Sequence, residues 1–219
     1  MISLRHLTIV FSSVLAIIMA GCATNTSEIT VNTSNFTITE KPQTIKTVFI
    51  KNIVDERVFK LDSDDPSVPS VQTSTDEERD HVIGRKRNAY GMAMGKIVLT
   101  PEQTVRGLTR QAITQALVEN GYKVISEEKN ITKDTVIMDV TINKFWAWMN
   151  PGFFYLTLSS NIEANVNVQK SMDSSHNVEI KGSHKEGFQM ATDDNWLIAI
   201  QTSFENFYKN ALKAFSSEM

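Results

Sequence analysis

Cysteine is almost missing from this chain: Cys22 is the only one among 219 residues. A single thiol cannot close an internal disulfide, so a cysteine-stapled scaffold is excluded. An excess of basic charge is missing too. The net charge is −3, and a nucleic-acid partner would want a concentrated basic face. No apolar run is long enough to span a bilayer, which takes roughly 20 residues. The histidines are scattered, without a spacing such as His-Glu-x-x-His that would hold a metal. No serine sits in a glycine-framed nucleophile elbow, so nothing marks a hydrolase. Gly91 to Lys96 falls one residue short of a phosphate-binding loop, and Ile97 stands where that loop needs Ser or Thr. The residues thus present no catalytic set, no metal and no cofactor site. What remains is a chain with 41% hydrophobic and 21% charged residues, enough to bury a real core.

The first 21 residues read as an export signal. Arg5 and His6 make a short basic start, and Leu7 to Ala20 carries no charge. Met19-Ala20-Gly21-Cys22 resembles the bacterial lipobox, with Met in place of the usual Leu. That resemblance implies cleavage before Cys22 and acylation of its thiol. One acyl chain anchors only marginally at ~0.8 kcal/mol per buried CH₂, whereas several together hold. Ala23 follows where an Asp would favour inner-membrane retention, so the resemblance implies the periplasmic face of the outer membrane. Residues 22–43, rich in Thr, Ser and Asn, are expected to form a flexible tether spanning ~25 Å as a coil. Ile29-Thr30-Val31 alternates and could add an edge strand.

Residues 44–219 are expected to form one periplasmic domain. Thr44 to Val54 carries apolar residues on both faces, which suits a central strand. Residues 55–98 break the pattern and read as an irregular insertion. Its Asp62-Ser63-Asp64-Asp65 run lacks the glycine and glutamate of a calcium loop. Within it, Arg85, Lys86 and Arg87 form a basic cluster beside glycines. They are candidates for contacting an anionic lipid, glycan or acidic partner, against the alternative of a solvated surface loop. Thr100-Pro101-Glu102-Gln103 predicts a helix start and Gly121 its end.

Thr135 to Met149 and Phe153 to Lys170 alternate clearly and predict a long antiparallel hairpin across Asn150-Pro151-Gly152. In that phase Val136, Met138, Val140, Ile142, Trp146, Trp148 and Phe154 face the core, while Phe145, Phe153 and Tyr155 face outward. Phe145, Trp146, Trp148, Phe153 and Tyr155 are candidate partner-binding residues. The outward-facing ones are either covered by another segment or form an exposed patch for a partner or lipid. Thr192-Asp193-Asp194 then opens a closing helix with Trp196, Ile200, Phe204, Phe207 and Phe215 on its apolar side.

This order predicts an α+β two-layer sandwich: a mostly antiparallel sheet with two helices packed on one face. The lipobox, the polar tether, Glu119-Asn120-Gly121-Tyr122-Lys123-Val124, the long hairpin and the closing helix together resemble the YajG type of bacterial lipoprotein. A similar layout occurs in auxiliary lipoproteins of envelope ABC transport systems. The resemblance implies a lipid-anchored, non-enzymatic binding or assembly factor whose partner is an envelope protein, a lipid or a glycan. The alternative is a binder of an anionic lipid, glycan or small ligand.

Overall fold

The computed structural model describes residues 25–34, 46–61, 63–71, 75–88, 90–171 and 174–218. Its elements, in order, are β1 (Ser27–Ile29), β2 (Thr47–Asp55), α1 (Asp76–His81), β3 (Val82–Arg87), β4 (Ala93–Leu99), α2 (Val105–Glu119), β5 (Lys123–Ile125), β6 (Val136–Asn150), β7 (Leu156–Ser171), β8 (Ser174–Phe188) and α3 (Asp193–Glu218). The export signal and Cys22 lie outside the described residues.

The alternating segment forms β6, and the sheet is built outward from it. On one edge β7 pairs antiparallel along its whole length, and β8 pairs with β7. The other edge is divided. β2 runs parallel to β6 from Val136 to Ile142, with β5 beyond it. β3 then meets β6 at Gly84 and Ala147, followed by β4 and β1. The long pairings are antiparallel and α2 and α3 share one face, so the architecture is the expected α+β two-layer sandwich.

Where the neighbour of β6 changes, its register also shifts, between Ile142 and Lys144. The extra residue is Asn143. A one-residue bulge exchanges the faces of everything downstream. Val136, Met138, Val140 and Ile142 therefore share the helix-side core with Phe145, Ala147 and Met149. Trp146 and Trp148 turn to the opposite face, beside Val71, Val82 and Phe59. The phase expected from uninterrupted alternation is corrected here: Phe145 faces the helices and Trp146 does not.

α2 begins later than its sequence signals predict. Thr104 caps it, its hydroxyl accepting from the Gly107 amide at 2.9 Å. Thr100 to Gln103 is a turn instead, and the Gln103 side chain clamps the backbone of Val31 from both sides, at 2.8 Å each. Its end is as expected. Gly121 adopts φ 86°, and the amides of Gly121 and Tyr122 return to the carbonyls of Val118 and Leu117, the double closure that glycine permits. α3 is capped by Thr192 and buries Trp196, Ile200, Phe204, Phe207, Ala211 and Phe215. Gly182 on β8 admits it closely: a Cβ there would collide with the backbone of Ser203 and Phe207. Between α2 and α3, the Tyr208 hydroxyl donates to the Glu119 carboxylate, and burial pushes the Tyr208 pKa well above its usual value.

Two expected irregular regions carry regular structure. Part of the expected tether is β1, with Ile29 and Val31 buried in the main core. The later part of the expected insertion holds α1, β3 and β4. Residues 57–61 and 63–71 remain irregular and lie across the sheet face opposite the helices.

Candidate binding surface at one end of the sheet

The registers bring three connections to one end of the molecule. β3 and β6 run parallel at Gly84 and Ala147, Asn150 pairs with Thr157, and Leu156 pairs with Phe188. The β3–β4 turn, the β6–β7 turn and the link from β8 to α3 therefore lie together, and this end is called the apex below. Each connection exposes apolar side chains. They are Tyr90 and Met92 in the first, Phe153, Phe154 and Tyr155 in the second, and Met190 in the third. All the large aromatics exposed among the described residues are here.

Local chemistry fixes these turns. Asn88 accepts the amides of Tyr90 and Met92 on its side-chain oxygen at 2.9 and 3.0 Å, and Gly91 takes φ 81°, a conformation that Asn and Gly turns supply. In the second turn Gly152 leaves room for the Tyr155 carbonyl. The Phe153 and Phe154 rings meet edge to face at 4.7 Å. The Tyr155 ring lies over the backbone of Gly187 on β8, so it is placed by the sheet although 60% exposed.

Beside the aromatic turns is a cavity of about 490 Å³ lined by Leu61, Asp64, Arg85, Arg87, Tyr90 and Met92 among others. Arg87 holds its two rims together, donating to the carbonyls of Gly91 at 2.7 Å and Ser63 at 2.6 Å. Nearby, Ser67 donates to Asp65 through its hydroxyl and amide. These bonds, aided by the charges of Lys144 and Arg87, hold the Asp65 carboxyl below the usual carboxylate range. Lys86 points the other way. Its ammonium donates to the Ser27 hydroxyl at 2.6 Å and to Asp193 at 3.3 Å, while Ser27 itself donates to Asp193 at 2.5 Å. Ser27 foremost, together with Lys86, lowers the Asp193 pKa.

The basic triplet is therefore not a solvated loop. Arg85, Lys86 and Arg87 are each at most 7% exposed, because β3 sits between β4 and β6. Arg85 and Arg87 line the cavity, and Lys86 fastens β1 to the start of α3. Of the candidate aromatics, Phe145 and Trp146 are buried, which removes them from any exposed patch. Phe145 packs on Phe204 at 6.4 Å. Trp146 packs against Phe59 at 6.1 Å and donates its indole N–H to the Pro66 carbonyl at 3.0 Å. Trp148 is half-buried under the Lys144 ammonium, 5.3 Å from its ring. Phe153 and Tyr155 are exposed at the apex. So is Phe154, expected in the core, because β7 begins only at Leu156. Sequence reasoning passed over Tyr90, Met92 and Met190. The Asn88-to-Gly91 turn signature was the signal that could have found the first two.

Arg57, also unforeseen, anchors the irregular segment. It is buried, pairs with Asp55 at 2.7 Å, donates to the carbonyls of Arg79, Val82 and Phe145, and stacks on Phe59. Among the described residues no His, Cys, Asp or Glu cluster could hold a metal ion, and no helix is long and apolar enough to cross a membrane.

The family model Lipoprotein_16, described as uncharacterized lipoprotein, matches residues 67–213. The chain belongs to this family of bacterial lipoproteins. No curated protein matches it. Solved structures resemble the lipoprotein in layout. One is a Xanthomonas campestris protein, 11% identical over 87% of this chain and 92% of that one, at TM-score 0.44. A second is a putative neuraminyllactose-binding hemagglutinin homolog from Helicobacter pylori, also 11% identical over 87% and 92%, at TM-score 0.41. A third is a minor lipoprotein from Acinetobacter baumannii, 8% identical over 78% of this chain and 94% of that one, at TM-score 0.35.

Proposed function

We propose that this lipoprotein is acylated on Cys22, sits on the periplasmic face of the outer membrane, and acts there as a non-enzymatic binding or assembly factor of the YajG type. The observation that carries the binding role is the confinement, among the described residues, of the exposed aromatic side chains to the apex. Exposed rings held in fixed turns are contact-making groups, and contiguous apolar patches mark sites of association. The anchor is supported by the family and by the sequence, in which Cys22 is the only thiol available. A second reading, an anionic lipid, glycan or small ligand bound by an auxiliary component of an envelope transport system, is favoured by one feature: Arg85 and Arg87 line the apical cavity.

Fractionation of cells tests the anchor. The wild-type protein is expected with outer-membrane vesicles, and Cys22→Ser is expected as an intact domain in the soluble periplasmic fraction. Retention of Cys22→Ser in the membrane fraction would refute acylation as the anchor. For the binding role, thermal shifts with phospholipid, lipid A and peptidoglycan fragments are the direct assay. A shift with one class that disappears in Phe153→Ser/Phe154→Ser is expected, and identical shifts in both proteins would remove the apex from the role.

A further inference from the structure

We infer that the apex lies against the bilayer that holds the acyl chains, with Tyr90, Met92, Phe153, Phe154, Tyr155 and Met190 seated in its headgroup interface. The inference rests on the Cys22 anchor proposed above and adds its geometry.

The direction of entry comes first. β1 runs parallel to β4, with Ser27 opposite Ile97. Traced backward from Ser27, the strand axis therefore points along β4 toward Ala93, which is the apex. The clasp of Ser27 to Lys86 and Asp193 fixes that point of entry.

Reach comes second. Cys22 is five residues before Ser27, a span of at most ~17 Å at full extension. Ala93 is four residues before Ile97, or about 13 Å along the strand. The anchor therefore extends little past the first apical turn. A coil of the whole 22–43 segment would have let the domain stand well clear of the bilayer. With β1 in the sheet, only the residues before Ser27 separate lipid from domain.

Chemistry comes third. Tyr, Phe and Met with apolar bodies fit the boundary between headgroups and acyl chains. The charges nearby are mixed: Asp64, Asp65, Asp193 and Asp194 accompany Arg85, Lys86, Arg87 and Lys144. Attraction by a single sign of charge is thus not the driving force. Seating follows from apolar burial and should survive high salt, which screens charge pairs.

The experiment uses the acylated full chain in phosphatidylcholine vesicles. Acylation occupies Cys22, so one introduced cysteine is the only free thiol. A nitroxide is placed by Phe154→Cys at the apex and by Val118→Cys at the end of α2, which lies at the opposite end of the sheet. Flotation with the vesicles reports the anchor. Collision with oxygen against a water-soluble relaxant reports depth. The expected result is flotation of both proteins, with the label at 154 immersed and the label at 118 in water, unchanged at high salt. Flotation with equal water exposure at both positions would overturn the seating while leaving the anchor standing. Failure to float would overturn both.

A second arm uses unacylated Cys22→Ser. Its partition onto the same vesicles should fall at least about tenfold in Phe153→Ser/Phe154→Ser, given the burial value of two phenyl rings. An unchanged partition of a folded double variant would also overturn the seating.

Discussion

Phe145 and Trp146 are neighbours in sequence, equally buried, and held by different means. Phe145 enters a continuous apolar core in which α2 and α3 cover the sheet. Trp146 enters a small cluster under an irregular segment, and the cover there is fastened by donors aimed at carbonyls: its own indole at Pro66, Arg57 at Val82 and Phe145, Arg87 at Ser63 and Gly91. One face is stabilised by area removed from water. The other is stabilised by directed bonds from guanidinium and indole donors to backbone carbonyls. The difference bears on the candidate surface. The irregular segment contributes Leu61 and Asp64 to the lining of the cavity beside the apex.

Three measurements would break or sharpen that contrast. The largest effect is expected on the helix face. Phe204→Ala empties a fully buried position and should cost ~3–5 kcal/mol of global stability by denaturant titration. Arg57→Ala is expected to cost less, about 1.5–3 kcal/mol, as its acceptors lose a charged donor while Asp55, 14% exposed, keeps access to water. Its signature should be local: proteolysis between Arg57 and Val71 and a changed Trp fluorescence before global unfolding. Loss of the whole fold in a single step would show that the two faces are one cooperative unit.

The smallest effect concerns pH. The Asp193 carboxyl is held low by the Ser27 hydroxyl, with Lys86 beside it. A depressed carboxylate contributes stability above its unfolded pKa and loses it as pH falls through the folded one. Amide exchange at Glu28 and Ile29 should therefore rise, relative to the core, only below the ordinary carboxylate range. Asp193→Asn should abolish that acid step. A step that persists in Asp193→Asn would assign it to another group.

Much of the fold could be read from residues alone where one physical period ran uninterrupted. The alternation of β7, the stripe of α3 and the glycine closing α2 each state their geometry locally. The bulge at Asn143 does not, since nothing about an Asn among alternating residues announces an extra count, and the faces of Phe145 and Trp146 were misassigned as a result. β3 was hidden by its charges. Arg85-Lys86-Arg87 resembles a solvated loop because the groups that receive Arg87 and Lys86, Ser63 and Asp193, are distant in sequence. At the candidate surface, Phe153 and Tyr155 were visible as aromatics out of phase beside a turn. Their company with Tyr90, Met92 and Met190 depends on sheet order, which no local pattern contains.

The parallel seating of β1 also has a mechanical consequence. Any pull between the domain and a lipid anchor at Cys22 would run along the strand axis and load the β1–β4 bonds in shear. Bonds loaded in shear share the force and fail together, whereas those of a peeled strand fail one by one. The Gln103 clamp on Val31 and the Gln201 bonds to Asn32 carry part of the same load to α2 and α3. A three-residue strand is thereby a fitting place to hang a domain.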